Sequence, residues 1–243
     1  MHCLICQSTF HQFEEYGIPP RKGKCPVCGA KARHREIGWF FQTFVRLPEG
    51  TKVLEVGPSK VQAKHFVDSR FLGSSKYTGV DVRTLKHHQF LQPPHRFLEM
   101  DVTRLSFSDQ SFDVILCNHV LPFIRSDYLA MSEIHRCLKP KGLAVLNVAI
   151  SLPKTRRSSE MAAENPKLYT EEYRTENGTE WVYGEDYFER LVAAGFFYHR
   201  LGLYRLAPES VRVPQGFRED AELILCFKFQ DEMERFLQEV LHS

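Results

Sequence analysis

Residues 51–81 read TKVLEVGPSKVQAKHFVDSRFLGSSKYTGVD. The stretch opens with a short apolar run, Lys52 to Val56, that passes at once into Gly57-Pro58-Ser59. A helix-like segment follows, and a second apolar run ends on Asp81. Strand, tight turn, helix, and strand with a terminal acid is the layout of a nucleoside-binding βαβ unit. In that unit the acid accepts hydrogen bonds from ribose hydroxyls. Asp81 stands 24 residues after Gly57, close to the roughly 20 that this layout expects.

The glycine signature is incomplete. A dinucleotide fold uses Gly-x-Gly-x-x-Gly so that its backbone can touch a pyrophosphate. Here Gly57 is followed by Pro58, Ser59 and Lys60, with no second or third glycine. A nucleoside ligand without phosphates, such as S-adenosylmethionine, does not need that close approach. An ordinary buried strand and turn would read much the same, so the rest of the chain must decide.

The 243 residues suffice for one sizeable domain and a small appendage. Hydrophobic residues make up 43% and charged residues 26%, which predicts a normal buried core. A formal charge of +2 is too small to argue for nucleic acid as a partner. No apolar run reaches the roughly 18 residues that a membrane span needs. The start, MHCLICQSTFHQ, lacks the basic flank and long apolar core of a signal peptide. The expectation is a soluble cytoplasmic protein, in which seven cysteines point to metal or structural thiols before disulfides.

Cys3-x-x-Cys6 and Cys25-x-x-Cys28 are paired knuckles separated by 18 residues, a spacing that suits a four-cysteine zinc site. Each turn points two thiolates at one ion, and two turns complete a tetrahedron. Pro26 fixes φ and Gly29 tolerates a positive φ, as a knuckle requires. The alternative is four unconnected cysteines or a redox pair. Residues 1–32 are expected to form a zinc ribbon holding Zn2+. Cys117, Cys137 and Cys226 lie in apolar or helical runs and are expected to pack.

Residues 33–50 are expected to link the ribbon to the core. Ile37, Phe40, Phe41, Phe44 and Val45 recur at helical spacing within Ala32 to Leu47. Arg33-His34-Arg35 at the start has two readings, a contact to an anionic ligand or a solvated basic helix start. Leu47-Pro48-Glu49-Gly50 ends the helix.

Beyond Asp81, Lys86-His87-His88 reads as a polar surface loop. Arg96 to Met100 and Phe112 to Leu116 read as strands, the second a buried run of the kind parallel sheets require. Asp127 to Leu138 is an amphipathic helix that Lys139-Pro140-Lys141-Gly142 should stop. Leu143 to Val148 is the next strand. This alternation predicts a doubly wound α/β domain over residues 51–243. Residues 151–181, charged and poor in aliphatics, are expected to form an inserted lid. Glu185 to Ala194 and Glu232 to Leu241 read as helices, and Phe196 to Leu203 and Leu223 to Phe229 as strands.

Residues 100–146 carry Asp101-Val102, Ser111-Phe112-Asp113-Val114-Ile115, Asn118-His119-Val120-Leu121, Glu133-Ile134-His135-Arg136 and Leu138-Lys139-Pro140-Lys141-Gly142. With Asp81 and the Glu55-Val56-Gly57 turn, they resemble the class I S-adenosylmethionine-dependent methyltransferases of the type 11 kind. Gly184-Glu185-Asp186-Tyr187-Phe188 and Ala193-Ala194-Gly195-Phe196 are similar to the later part of such enzymes. Cys-Pro-Val-Cys-Gly with Arg33-His34-Arg35 resembles a subgroup that carries a zinc ribbon ahead of the domain.

The resemblance implies a Rossmann-like seven-stranded sheet and S-adenosyl-L-methionine as cofactor. It implies that Glu55, Val56, Gly57, Pro58 and Ser59 line the methionine part. Asp81 would hold the ribose hydroxyls, Val82 would pack on adenine, and Asp101, with Val102 beside it, would accept from the adenine amino group. Asn118 and His119 would sit beneath the sulfonium and face the acceptor. This chain departs from many relatives at Pro122-Phe123, where they read Glu-His, and at Ser59, where they have glycine.

Such chemistry needs a nucleophile in line with the S–CH₃ bond and a dry site. His119 is the candidate base, since histidine titrates near neutrality; a histidine that only hydrogen-bonds acceptor or cofactor is the other reading. Arg35, Trp39, Phe40, Tyr183 and Tyr187 are the candidate acceptor pocket; the other reading makes Trp39 and Phe40 core and gives Tyr183 and Tyr187 to helix capping and packing. The expected function is methyl transfer to a small molecule. The alternatives are an RNA methyltransferase that docks through its ribbon, or a non-catalytic cofactor-binding interaction module.

Overall fold

A computed structural model describes residues 1–17, 20–59, 61, 67, 75–82, 91, 93–164 and 178–241. The expected helix after Gly57, the Lys86-His87-His88 loop and the middle of the expected lid fall wholly or mostly outside the described residues.

The chain begins with two CxxC turns joined by a small hairpin, β1 (Glu14–Tyr16) and β2 (Arg21–Lys24). The turns are built alike. Gln7 N–H donates to the Cys3 carbonyl at 2.7 Å, and Gly29 N–H donates to the Cys25 carbonyl at 2.9 Å. Both acceptor turns need a left-handed residue: Gly29 has φ 75°, and Gln7 takes φ 61° without being glycine. The helix Ala32–Phe44 follows and stops three residues short of Leu47. Leu47 precedes Pro48, which disfavours helical backbone there.

The central sheet then forms from β3 (Lys52–Val56), β4 (Lys76–Asp81), β5 (Arg96–Glu99) and β6 (Phe112–Cys117). The helix Asp127–Cys137 leads directly into β7 (Leu138–Val145). The short strands β8 (Ile150–Leu152), β9 (Arg156–Arg157) and β10 (Trp181–Gly184) make a separate three-stranded sheet, with the helix Ser158–Glu164 between β9 and β10. The described residues of the expected lid thus form strands and a helix. After the helix Tyr187–Ala193 come β11 (Phe197–Gly202), two short helices at Leu203–Leu206 and Glu209–Gln215, β12 (Glu222–Phe227) and the helix Gln230–Leu241.

The seven strands run in the order β11-β12-β7-β6-β3-β4-β5. The pairs β7-β6, β6-β3, β3-β4 and β4-β5 are parallel, while β12 lies antiparallel to both β7 and β11. Parallel strands are buried on both faces, and two apolar clusters do this here. One unites the linking helix (Ile37, Trp39, Phe40, Phe41) with Val53, Val114 and Val145 of the sheet, and also with Cys3, Ile5 and Cys25 of the ribbon. The other joins the helix Asp127–Cys137 (Met131, Ile134) and Tyr187 with Leu54, Ile115 and Ala144. The four-cysteine segment therefore shares a core with the sheet. Cys117, Cys137 and Cys226 are fully buried, as expected of packing residues.

The helix stops ahead of Lys139–Gly142, as the sequence predicts, but β7 begins at Leu138 rather than Leu143 and runs through those four residues. The register moves from Phe112 opposite Leu138 to Val114 opposite Leu143, so the extra residues bulge out of the strand. Gly142 permits the close approach, because a Cβ there would lie 2.9 Å from the Asp113 carbonyl. Lys139 Nζ ties the bulge to Asp113 Oδ1 at 2.7 Å. No helix among the described residues is long and apolar enough to cross a membrane.

Candidate functional site

In open α/β sheets, ligands lie at the carboxyl ends of the parallel strands. Along that edge the structure sets, strand by strand, Asp101 after β5, Asp81 closing β4, Gly57 after β3, Asn118 after β6 and Asn147 after β7. Gly57 has φ 59°, and a Cβ on it would lie 2.6 Å from Val120 Cγ2. The turn after β3 and the turn after β6 therefore touch, and only glycine fits between them.

The expected cofactor residues fall into distinct environments. Gly57 N–H donates to the Val80 carbonyl at 2.8 Å, and Met100 N–H to the Asp81 carbonyl at 2.8 Å, tying neighbouring strand ends together. Asp101 is exposed, and one carboxylate oxygen caps the next turn by accepting from Thr103 N–H at 2.8 Å. Val102 is buried and Val82 is exposed. Pro58 Cγ would stand 3.1 Å from a Cβ on Gly79, so it covers β4. Val56 is buried in the sheet core. Glu55 was expected along the methionine part, but its side chain turns into the protein, only 1% exposed. There its carboxylate accepts from Tyr77 Oη–H at 2.6 Å. Burial pushes its pKa up to about 7, although the Tyr77 hydrogen bond opposes the shift.

A cavity of about 450 Å³ opens beside this edge. Its walls are the N-terminal part of the linking helix (Arg33, His34, Glu36), the strand-end residues Asn118, His119 and Asn147, and the segment from Arg218 into β12. Ile150 and Glu185, at the two ends of the inserted segment, also line it. His119 sits at φ 57°, unusual for a non-glycine residue, with its N–H held by the Asn147 carbonyl at 2.8 Å. Burial pushes its pKa down to about 3, and Arg33, Arg218, Arg21 and Lys31 add to the shift, so the imidazole is neutral near pH 7.

None of the five residues expected to line the acceptor pocket borders this cavity. Arg35 is fully buried and donates to the carbonyls of Gln215 (2.5 Å), Ala30 (2.8 Å) and Gly23 (2.9 Å). Trp39 packs on Phe44 and Phe217, and Phe40 is fully buried beside Phe41. Tyr183 donates to Asp127 Oδ2 at 2.7 Å and Tyr187 to the Leu146 carbonyl at 2.9 Å, both within the core. The cavity instead uses Arg21, Asn147 and Arg218, which the sequence did not single out. Asn147 alone carried a signal there, as a polar residue inside the apolar run Leu143–Ile150.

Just before the linking helix lies the four-cysteine cluster of Cys3, Cys6, Cys25 and Cys28, whose sulfur atoms all fall within 4.8 Å of one another. The Cys3–Cys28 and Cys6–Cys25 sulfur pairs are each 3.8 Å apart. An ion bonded to four sulfurs at about 2.3 Å would set tetrahedral edges of about 3.8 Å. The hydrogen bond from Cys28, helped by the Cys6 and Ile5 amides, holds the Cys3 pKa down to about 4, the thiolate form that metals take. The donor set fits one metal ion.

Residues 54–146 match the model of the family described as Methyltransferase domain. No curated protein matches the chain. Among solved structures, the chain is similar to one from the complex between the Haloferax volcanii Trm112 methyltransferase activator and a methyltransferase. The two share 15% identity with a TM-score of 0.57, over 80% of this chain and 89% of that one. It is similar to an S-adenosylmethionine-dependent methyltransferase from Mesorhizobium loti, with 12% identity and a TM-score of 0.55 over 78% of this chain and 97% of that one. It is also similar to the Burkholderia thailandensis 1,6-didemethyltoxoflavin-N1-methyltransferase, with 17% identity and a TM-score of 0.51 over 80% and 76%. The fold is that of the class I S-adenosylmethionine-dependent methyltransferases, with a four-cysteine cluster suited to metal packed against it.

Proposed function

We propose that the protein transfers a methyl group from S-adenosylmethionine to a small molecule seated in the 450 Å³ cavity. The observation that carries this reading is the contact between the Gly57 turn and the Asn118–Val120 turn, because the latter also forms a wall of the cavity. Cofactor and acceptor sites would then share one loop. The bound cofactor would supply a methyl group already activated by its positive sulfur. Gly57, Pro58 and Ser59 would cradle the methionine part, Asp81 would hold the ribose hydroxyls, and Val82, Asp101 and Val102 would hold adenine. Asn118 and His119 would orient the acceptor.

With its pKa pushed down to about 3, His119 is a weak base and serves better as a hydrogen-bond partner of the acceptor. The ribbon would hold one zinc ion. Four thiolates leave no open coordination position, so that ion would be structural. A cavity of this size suits a small acceptor rather than a nucleic acid strand. The test is a turnover screen of zinc-loaded protein across small thiols, hydroxy compounds, amines and RNA, following S-adenosylhomocysteine release. Turnover on a small molecule is expected. Methylation of RNA, with binding that falls steeply as salt rises, would contradict the reading.

A further inference from the structure

The cavity holds hydrogen-bond donors with nothing to receive them. His34 is 4% exposed, and its Nδ1 accepts from Lys31 N–H at 3.2 Å. Burial and neighbouring cations keep the ring neutral, so its one proton belongs on Nε2. That Nε2 is buried without a partner among the described residues. Asn118 is oriented by a relay. Its Oδ1 accepts from Asn147 Nδ2 at 3.0 Å, and Asn147 Oδ1 accepts from Ile224 N–H at 2.8 Å. The Asn118 amide nitrogen is therefore a donor, and it too is buried without a partner. The half-buried Arg33 guanidinium lines the same cavity and makes no hydrogen bond or ion pair with any described residue. Buried donors are normally satisfied, and two in one cavity, beside a half-buried arginine, call for an explanation.

The acids of the cavity do not supply it. Glu36 pairs with Arg218 at 2.9 Å, and Glu185 and Glu222 each pair with Arg200 at 3.0 Å. Asp220 stands 3.8 Å from Arg218, and Glu219 is exposed. The first turn of the linking helix contains no acid.

We propose that Arg33, His34 Nε2 and Asn118 Nδ2 form a subsite for an anionic oxygen group on the methyl acceptor, a carboxylate or a phosphate ester. A cation and two neutral donors match an anion with several acceptor oxygens, whereas a neutral hydroxyl or amide would leave most of them unmet. The substrate is then a small acid. This rests on the methyl-transfer reading above.

The test is an NMR titration of the zinc-loaded protein with S-adenosylhomocysteine, followed by four probes: benzoate, phenyl phosphate, benzamide and benzyl alcohol. Binding is read from the ring nitrogens of His34 and His119. At least one anion should bind at least about tenfold tighter than both neutral probes. Whether benzoate or phenyl phosphate leads tells carboxylate from phosphate. Arg33→Gln should abolish the preference, leaving neutral-probe and S-adenosylhomocysteine affinities within about twofold of wild type. Arg33→Lys should restore part of it. Anions binding no tighter than neutrals, or Arg33→Gln weakening all four probes equally, would overturn the subsite. Anion preference without S-adenosylhomocysteine binding would support the subsite and contradict the methyl-transfer reading instead.

Discussion

Arg33, His34 and Arg35 are consecutive, yet they meet two environments. At about 100° per residue a helix turns neighbours to different sides. Arg35 faces the four-cysteine segment, where the Ala30 and Gly23 carbonyls, together with that of Gln215, receive its guanidinium and the Phe13 ring lies 3.9 Å from it. Arg35→Met would strand those carbonyls, so unfolding by urea should show a loss on the order of 3 kcal/mol. A wild-type midpoint would show that Arg35 does not brace the ribbon. The basic triplet was legible in the sequence. Its division into one strut and two cavity residues was not, because that depends on helix phase against partners such as Gln215. Glu55 makes a similar case, since an acid before Gly57 reads as a cofactor ligand until Tyr77 is seen beneath it. Its pKa rises from 4.5 to about 7 on folding, so the native state holds the extra proton between those values. That contribution to stability is full below about pH 4.5 and is lost as pH rises through about 7. The stability of Glu55→Gln relative to wild type should therefore increase from pH 4.5 to 7. A pH-independent difference in urea midpoints would contradict the assignment.

The four-cysteine segment shows what spacing can and cannot say about an element. Two CxxC pairs predict a common ion, and the four sulfurs do converge. Where the element docks was not legible, because its seat is the helix Glu209–Gln215, too short to show a clear period and interrupted by Pro214. Leu4 N–H reaches Gln215 Oε1 at 2.8 Å, and His2 N–H reaches the Pro214 carbonyl at 2.9 Å. Gly216, at φ 59°, brings its Cα against the Phe13 ring. Removing the metal should thus disturb more than the first thirty residues. Elemental analysis should find one zinc per chain. Cys25→Ser, or a strong chelator, should lower the thermal midpoint and shift the emission of Trp39, which packs on Phe217. Stoichiometric metal absent from the purified protein, or an unchanged midpoint after chelation, would remove the structural zinc.

At the scale of the molecule, the alternation of apolar runs and amphipathic helices foretold a doubly wound sheet. The line of Gly57, Asp81, Asp101 and Asn118 along one edge follows from that topology. The cavity did not follow. Its walls come from Arg21, Arg33, His119, Asn147 and Arg218, brought together by the docked ribbon and by β12 lying antiparallel at the sheet's side. No local pattern connects such positions. The central claim is that this edge binds S-adenosylmethionine, and calorimetry with its product, S-adenosylhomocysteine, tests it most directly. The zinc-loaded protein should bind one equivalent, and Asp81→Ala should weaken binding by roughly 1.5–3 kcal/mol while the fold stays intact. No heat of binding from folded wild-type protein, or an Asp81→Ala affinity equal to wild type, would contradict the account.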